Sequence, residues 1–224
     1  MDETLRTQAL RHASLLADWQ RSLAPLSLEG DSHQWALIGV DLLEGFSRVG
    51  PLSSPRVAAI LPPAAQLVGG LLERGMPSSQ VLFLEDHHPQ SAEEFAAFPP
   101  HCISATQEAE PAAELRALAA WPEFTRLPKN SVASHSNPAL DTWLERCPAR
   151  QIVAVGDVTD LCLYALALHL ITRSQARSLG QRIIVPENAA QTWDAPDHPG
   201  DLYHLLFLHQ LARLGVQVVS RVLL

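Results

Sequence analysis

The sequence predicts an α/β protein in which a mostly parallel sheet of six strands lies between two layers of helices. From Trp35 onward, short runs of apolar or β-branched residues alternate with longer segments of helical periodicity. The short runs are almost continuously apolar, as expected for strands that are buried on both faces. Alternation of this kind requires right-handed crossover connections and gives a three-layer, Rossmann-like topology.

The individual elements follow from these runs in chain order. Strands are predicted at residues 35–41, 80–86, 124–129, 151–157, 181–186 and 216–222. Helices are predicted at residues 56–74, 108–120, 138–146, 160–179 and 199–214. Gly75, Gly180 and Gly215 stand where three of these helices should stop, as left-handed C-terminal glycines do.

The first 33 residues are predicted to form a helical arm outside the α/β domain, which takes up residues 34–224. Leu5, Ala9, His12, Leu16 and Trp19 recur at helical spacing, and a stretch with Pro and Gly follows them. The arm could pack on the body of the protein or on a second subunit, and we expect a homo-oligomer.

Composition excludes several classes of partner. The 224 residues carry a formal net charge of −8 and contain no basic cluster, so nucleic acid is not expected as a partner. The chain has no secretory signal pattern and no unbroken apolar run of membrane-spanning length, so no membrane is expected. Three cysteines without framework spacing suggest free thiols in a reducing, cytoplasmic compartment.

Reactive side chains follow four successive predicted strands. Asp41 ends the first strand, Asp86 the second and Lys129 the third, and Cys162 comes shortly after the fourth. In a parallel sheet, ligands bind beyond the carboxyl ends of the strands. These residues are therefore expected to share one crevice.

Cys162 has two readings. With Thr159 or Asp160 as the helix N-cap, the thiol lies in the first helical turn, where the helix dipole favours a thiolate. Free backbone N–H groups there could hold an oxyanion. The alternative is a cysteine that only packs in the core.

Asp41 and Lys129 also have two readings each. Asp41 could take the proton from the thiol, or it could be a turn residue after a strand. Lys129 could keep Asp41 ionised and oriented, or it could be a solvated surface lysine.

The segment after the second strand is rich in metal-binding side chains. Asp86 and His88 are separated by one residue and would point the same way on an extended chain, and Glu94 and His101 follow. Two imidazoles and two carboxylates suit zinc, iron or manganese. The alternative is a polar loop with unrelated histidines.

With these motifs in place, the chain resembles the isochorismatase-like cysteine hydrolase superfamily and, within it, the nicotinamidases. The resemblance covers residues 34–221 in the order of the family. It rests on "GVDLLEGF", "DHHPQSAEEFAAFPPHCIS", "LPKNS", "VGDVTDLC", "GQRIIVPENAAQTWD" and "HQLARLGVQVVS". The segment after Lys129 lacks the aromatic residue that many relatives have near the substrate.

The resemblance implies a role for each matching residue. Cys162 would be the nucleophile, Asp41 the general base and Lys129 its partner. The Asp157–Val158 peptide bond would be cis, with the N–H groups of Val158 and Cys162 forming the oxyanion hole. The resemblance also implies that Phe46 and Phe98 are the walls that bind a flat ring. The four metal ligands that it implies are Asp86, His88, Glu94 and His101.

The activity implied by the resemblance is hydrolysis of nicotinamide to nicotinate and ammonia. It implies one divalent transition metal ion, and zinc is favoured over iron and manganese. One alternative is a metal-independent hydrolase of the same family that acts on another amide, a ureido compound or a vinyl ether. A second alternative is a catalytically silent binding protein on the same fold.

Overall fold

The computed structural model of the protein describes residues 2–224, except for the side chains of Glu3, Leu5 and Arg6. Leu5 of the predicted amphipathic arm is therefore outside the described side chains. The helices are α1 Glu3–Arg21, α2 Glu44–Ser47, α3 Pro55–Ala58, α4 Leu61–Glu73, α5 Ala113–Arg116, α6 Pro138–Arg146, α7 Cys162–Ala176 and α8 Gly200–Arg213. The strands are β1 Leu26–Ser27, β2 Trp35–Val40, β3 Val81–Asp86, β4 Thr125–Lys129, β5 Gln151–Asp157, β6 Arg182–Pro186, β7 Ala190–Gln191, β8 Gln217–Val219 and β9 Val222–Leu223.

The central sheet confirms the predicted fold class. Its strand order is β4-β3-β2-β5-β6-β8, and every pairing in it is parallel. The short strand β7 pairs with the end of β5 and makes the sheet seven-stranded instead of six-stranded. The order in which the chain adds strands reverses between β2 and β5, with β3 and β4 on one side and β6 and β8 on the other. At such a point an α/β sheet opens a crevice at its carboxyl edge.

Helices cover both faces of the sheet, which explains why the strands are apolar throughout. Successive residues of β2 point to opposite faces: Leu37 belongs to the core beneath α4, and Ala36 and Ile38 belong to the core beneath α7 and α8. All six residues of β2 and all seven of β5 are buried. An alternating polar pattern would leave one of the two cores without apolar side chains.

Three predicted elements differ in the structure. The helix expected at 56–74 is split into α3 and α4, since Pro62 and Pro63 have no N–H to continue the first helix and start the second one instead. The helix expected at 108–120 shrinks to α5 between tight turns. The last predicted strand divides into β8 and β9, and β9 leaves the main sheet.

Residues Pro55–Glu73 have the length and apolar composition of a membrane span, with a mean hydropathy of 1.2. In the structure, however, the α4 side chains Leu61, Leu67, Val68 and Leu71 are buried in the core against the sheet. The apolar character of this segment is thus accounted for by packing within the protein.

The N-terminal arm contacts the body of the same chain. Helix α1 ends at Arg21, so the predicted arm of 33 residues is helical only in its first part. The rings of Trp19 and His209, which lies on α8, form an edge contact at a centroid distance of 5.1 Å. After the helix, β1 pairs in parallel with β9. On the outer side of α1, Leu10 and Leu15 are exposed.

Candidate active site and metal centre

A buried lysine connects the acids and the thiol at the carboxyl edge of the sheet. The Nζ atom of Lys129 lies 2.7 Å from Asp41 Oδ2, 2.6 Å from Asp86 Oδ1 and 3.5 Å from Cys162 Sγ. All four residues are buried. The structure thus brings together the three side chains that were predicted to form a catalytic group.

The local backbone explains how Asp41 reaches this position. Directly after β2, Asp41 adopts a left-handed conformation with φ of 55°, which aspartate tolerates better than most residues. Its N–H donates to Leu84 O, and its Oδ1 accepts the N–H of Asp86 at 3.0 Å. The carboxylate is therefore fixed between β3 and the lysine.

The charges in this group shift one another's pKa values. Burial, together with the charge of Asp86, raises the pKa of Asp41 to about 7, although the Lys129 ammonium opposes this rise. Burial alone would lower the pKa of Lys129, but Asp41, Cys162 and Asp86 outweigh it and raise that pKa well above its usual value. The lysine is thus a permanent cation in this site.

The thiol is held in its protonated form. Burial raises the pKa of Cys162 well above its ordinary value; Lys129 opposes the rise, and the Asp41 charge adds to it. The start of a helix favours a thiolate, but burial and the charges of Asp41 and Asp86 act on the pKa of Cys162 in the opposite direction. A base is needed, and an Asp41 oxygen lies within 4.8 Å of the sulfur.

The loop before Cys162 has the predicted cis peptide bond between Asp157 and Val158. Cys162 is the first residue of α7, but the N-cap is Leu161, without a side-chain cap, and neither Thr159 nor Asp160 takes that role. Their side chains bond instead to two histidines near or on α8.

The same loop leaves backbone donors near the thiol. Thr159 donates its N–H to Gln191 O, and Leu161 and Leu163 donate theirs to Val158 O. These hydrogen bonds do not use the N–H groups of Val158 and Cys162. The two predicted oxyanion donors are therefore left free by the bonds that hold the loop.

A second buried group lies beside the thiol. Ligand atoms of Asp86, His88 and His101 all lie within 4.8 Å of one another. The Nδ1 atoms of the two rings contact Asn130 Oδ1 at 2.7 Å and Pro99 O at 2.8 Å, which directs both Nε2 atoms towards Asp86. His88 Nε2 is buried without a hydrogen-bond partner among the described residues.

This arrangement fits a divalent transition metal. Two imidazoles whose Nδ1 atoms are held by the oxygens of Asn130 and Pro99, with one carboxylate, are a common ligand set for zinc and iron. An unpartnered buried nitrogen is costly unless something binds it. The fourth predicted ligand, Glu94, stands at the edge, with Oε1 3.9 Å from His101 Nε2, and is not part of the tight group.

A cavity of about 370 Å³ opens onto both groups. Asp41, Asp86, His101 and Cys162 form its reactive end. Its apolar lining includes Phe46 and Phe98, the two residues expected to be ring-binding walls, together with Leu52, Val132, Leu161 and Trp193. A volume of this size suits a small organic molecule.

Two residues of this region were missed by sequence reasoning. Asn130 follows Lys129 and orients His88, and its signal was adjacency to a predicted site residue. Trp193 lies in a loop without periodicity, where no sequence pattern marks it. Asp157, at the end of the predicted fourth strand, lines the cavity, where burial raises its pKa well above the ordinary value. The other cysteines are not part of this group: Cys102 is buried directly after His101, and Cys147 is half-buried at the end of α6.

The fold and this constellation define an α/β protein with a buried Asp-Lys-Cys group at the switch point of a parallel sheet. Residues 35–220 match the profile of the Isochorismatase domain family, and the chain belongs to that family.

Individual relatives support this assignment. The chain is 26% identical over 227 residues to Nicotinamidase 1 of Arabidopsis thaliana, covering 88% of this chain and 90% of that protein. It is similar in fold to N-carbamoylsarcosine amidase from Thermoplasma acidophilum (TM-score 0.67, 22% identity, 83% of this chain and 95% of that one). It is also similar in fold to the pyrazinamidase of Pyrococcus horikoshii in complex with zinc (TM-score 0.66, 20% identity, covering 84% of this chain and 99% of that one).

Proposed function

We propose that the protein is a cysteine-dependent amidohydrolase that converts nicotinamide to nicotinate and ammonia through a thioester. The observation that carries this proposal is the contact of one buried ammonium with Asp41 and Cys162 at the end of a cavity. The likeness to a nicotinamidase and to a zinc-bound pyrazinamidase supports the choice of substrate.

The reaction starts with proton transfer from the thiol. Asp41 takes the proton of Cys162, and its pKa of about 7 is well placed for a base that must work near neutrality. The thiolate then attacks the carboxamide carbon. Lys129 stays protonated and stabilises the negative charge that passes from carboxylate to sulfur.

The tetrahedral intermediate needs donors for its oxygen. The N–H groups of Val158 and Cys162 serve as these donors, and each such donor contributes roughly 10²-fold or more to rate in comparable sites. Collapse of the intermediate expels the amine, which takes the proton held by Asp41 and leaves as ammonia. Asp41 then removes a proton from water, the resulting hydroxide attacks the thioester, and nicotinate leaves as the thiol is restored.

Asp86, His88 and His101 would hold the metal ion, with Glu94 close enough to His101 to assist. When bound, the ion supplies a Lewis-acidic position beside the cavity that selects a substrate with a ring nitrogen. The protein residues Phe46 and Phe98 supply the apolar walls for that ring.

The test is ammonia release from a panel of amides, with nicotinamide, pyrazinamide and N-carbamoylsarcosine included. We expect turnover of nicotinamide by the wild type, loss of turnover in Cys162→Ala and full turnover in Cys147→Ala. A wild type that releases no ammonia from any amide would exclude the proposal and favour either a vinyl ether hydrolase or a silent binding protein. A preference for a ureido compound, together with an active Asp86→Ala variant, would favour the metal-independent alternative.

A further inference from the structure

Trp193 is an aromatic residue of the cavity that lies outside the predicted site. It belongs to the segment between β7 and α8 and lines the same cavity as Cys162. One face of its indole is covered by the His198 ring, at a centroid distance of 3.7 Å and an interplanar angle of 9°. The stack continues from His198 to Tyr203 at 4.0 Å and 29°.

The covering histidine is fixed to the loop that carries the nucleophile. His198 Nε2 lies 2.8 Å from Asp160 Oδ2, and His198 Nδ1 lies 3.2 Å from the carbonyl oxygen of Trp193. His198 and Asp160 are both buried. Asp160 precedes Cys162 by only two positions, so the indole and the thiol are tied to each other through one imidazole.

The segment is also anchored on either side of the tryptophan. Arg56 donates from Nε to Thr192 O at 3.1 Å, and the N–H of Gly200 donates to Asp194 Oδ1 at 2.7 Å. A loop without regular structure therefore presents Trp193 from a fixed position. Preorganisation of this kind lowers the entropy that binding must otherwise overcome.

We propose that Trp193 is a specificity-determining wall for the acyl part of the substrate, and that His198 is its positioning residue. The ligand class is an amide whose acyl group is a flat aromatic ring, because the indole lines the cavity together with Phe46 and Phe98 while His198 covers one of its faces. This inference rests on the proposed amidohydrolase function. An aromatic contact of this type changes affinity by roughly three- to tenfold.

The first experiment compares aromatic and aliphatic amides. Kinetics are measured for nicotinamide, benzamide and propionamide with Trp193→Ala, Trp193→Phe and the control Trp143→Ala, whose side chain packs on the core away from the cavity. We expect Trp193→Ala to raise KM for both aromatic amides roughly three- to tenfold, with kcat retained and propionamide unaffected. Trp193→Phe should restore most of the loss, and Trp143→Ala should leave the aromatic-to-aliphatic ratio unchanged.

The second experiment tests the role of His198 by a double-mutant cycle. His198→Ala should raise KM for aromatic amides in the same direction as Trp193→Ala but by less. In the double variant it should add almost nothing, because a positioning residue has no effect once the residue it positions is gone. A merely structural role would give additive losses that extend to propionamide.

The outcomes separate this inference from the function on which it rests. A wild type without amidase activity refutes the proposed function. An active enzyme in which Trp193→Ala lowers aromatic and aliphatic amides equally, or lowers neither, refutes only the aromatic wall. Binding of nicotinamide to Cys162→Ala, with and without Trp193→Ala, gives the same comparison by titration calorimetry and does not depend on turnover.

Discussion

Replacing Lys129 with methionine tests the electrostatic core of the site. The ammonium contacts Asp41 and Asp86, and the side chains of all three are at most 2% exposed. Methionine keeps most of the volume and the apolar stem but removes the charge. Two buried carboxylates then remain without a cation.

The size of the effect follows from this burial. Removing one partner of a buried ion pair costs about 3–5 kcal/mol, since the remaining charge stays desolvated without compensation. For a domain of this length, that corresponds to a decrease in Tm of roughly 6–20 °C. A matched control is available on the same strand, where Arg126 pairs with Glu85 at 2.8 Å but its side chain is 39% exposed. Arg126→Met should cost at most about 1 kcal/mol.

The assay is urea unfolding of the wild type and both variants, with a chelator present so that no metal ion replaces the lost charge. The loss in Lys129→Met should shrink as pH falls from about 7.5 to about 5.5. The pKa of Asp41 is about 7 in the folded protein even with the ammonium present, compared with an ordinary 3.8, and removal of Lys129 raises it further. A carboxyl group with a raised folded pKa binds more protons folded than unfolded, so its stability cost is complete above the folded pKa and disappears as pH falls towards the unfolded value.

Two results would refute this reasoning. A loss in Lys129→Met no larger than that in Arg126→Met would mean that the buried charges are not coupled as the distances imply. A loss that grows at lower pH would mean that neither carboxylate takes up a proton to relieve the missing charge.

Two further predictions concern the metal group and the sheet. His88→Ala and His101→Ala should each lose nearly all bound transition metal, whereas Glu94→Ala should keep most of it. The metal content is measured by elemental analysis of the purified proteins, and equal retention in all three variants would contradict the assigned ligand set. Gly156→Ala should prevent folding or lower Tm by roughly 10 °C or more. At Gly156 φ is +121°, and an added Cβ would lie 2.0 Å from Val40 O. The control is Gly69→Ala in α4, where the added Cβ would meet no atom closer than 3.7 Å, and it should be neutral or slightly stabilising. Similar stability of the two glycine variants would disprove this account.

Much of the fold was predictable because its signals are local and repeated. Burial on both faces makes β2 and β5 continuously apolar. The end of each apolar run marks the end of a strand, where Asp41 follows β2 and the loop to Cys162 follows β5. Strand ends share one edge in a parallel sheet, so chain order led us to expect one crevice for Asp41, Lys129 and Cys162. The family resemblance then favoured the catalytic interpretation of each residue over its alternative.

Other features depend on contacts that no local pattern encodes. The N-cap of α7 is Leu161 because Thr159 and Asp160 bond to His204 and His198, which lie about 40 residues further along the chain. The protonation of the thiol depends on burial, which sequence position does not reveal. Trp193 was missed since it stands in an irregular segment whose position is set by long-range hydrogen bonds.

The pairing of β1 with β9 has a consequence for the order of folding. Leu26 and Val222 come from opposite ends of the chain, and each strand is only two residues long. Closing so large a loop has a high entropic cost, and the few hydrogen bonds of this pair offset little of it. The pair of β1 and β9 can therefore form only after the sheet has assembled. Its amide protons should therefore exchange with solvent long before those of β2 and β5, and the arm should detach reversibly while the cavity and its reactive end remain intact.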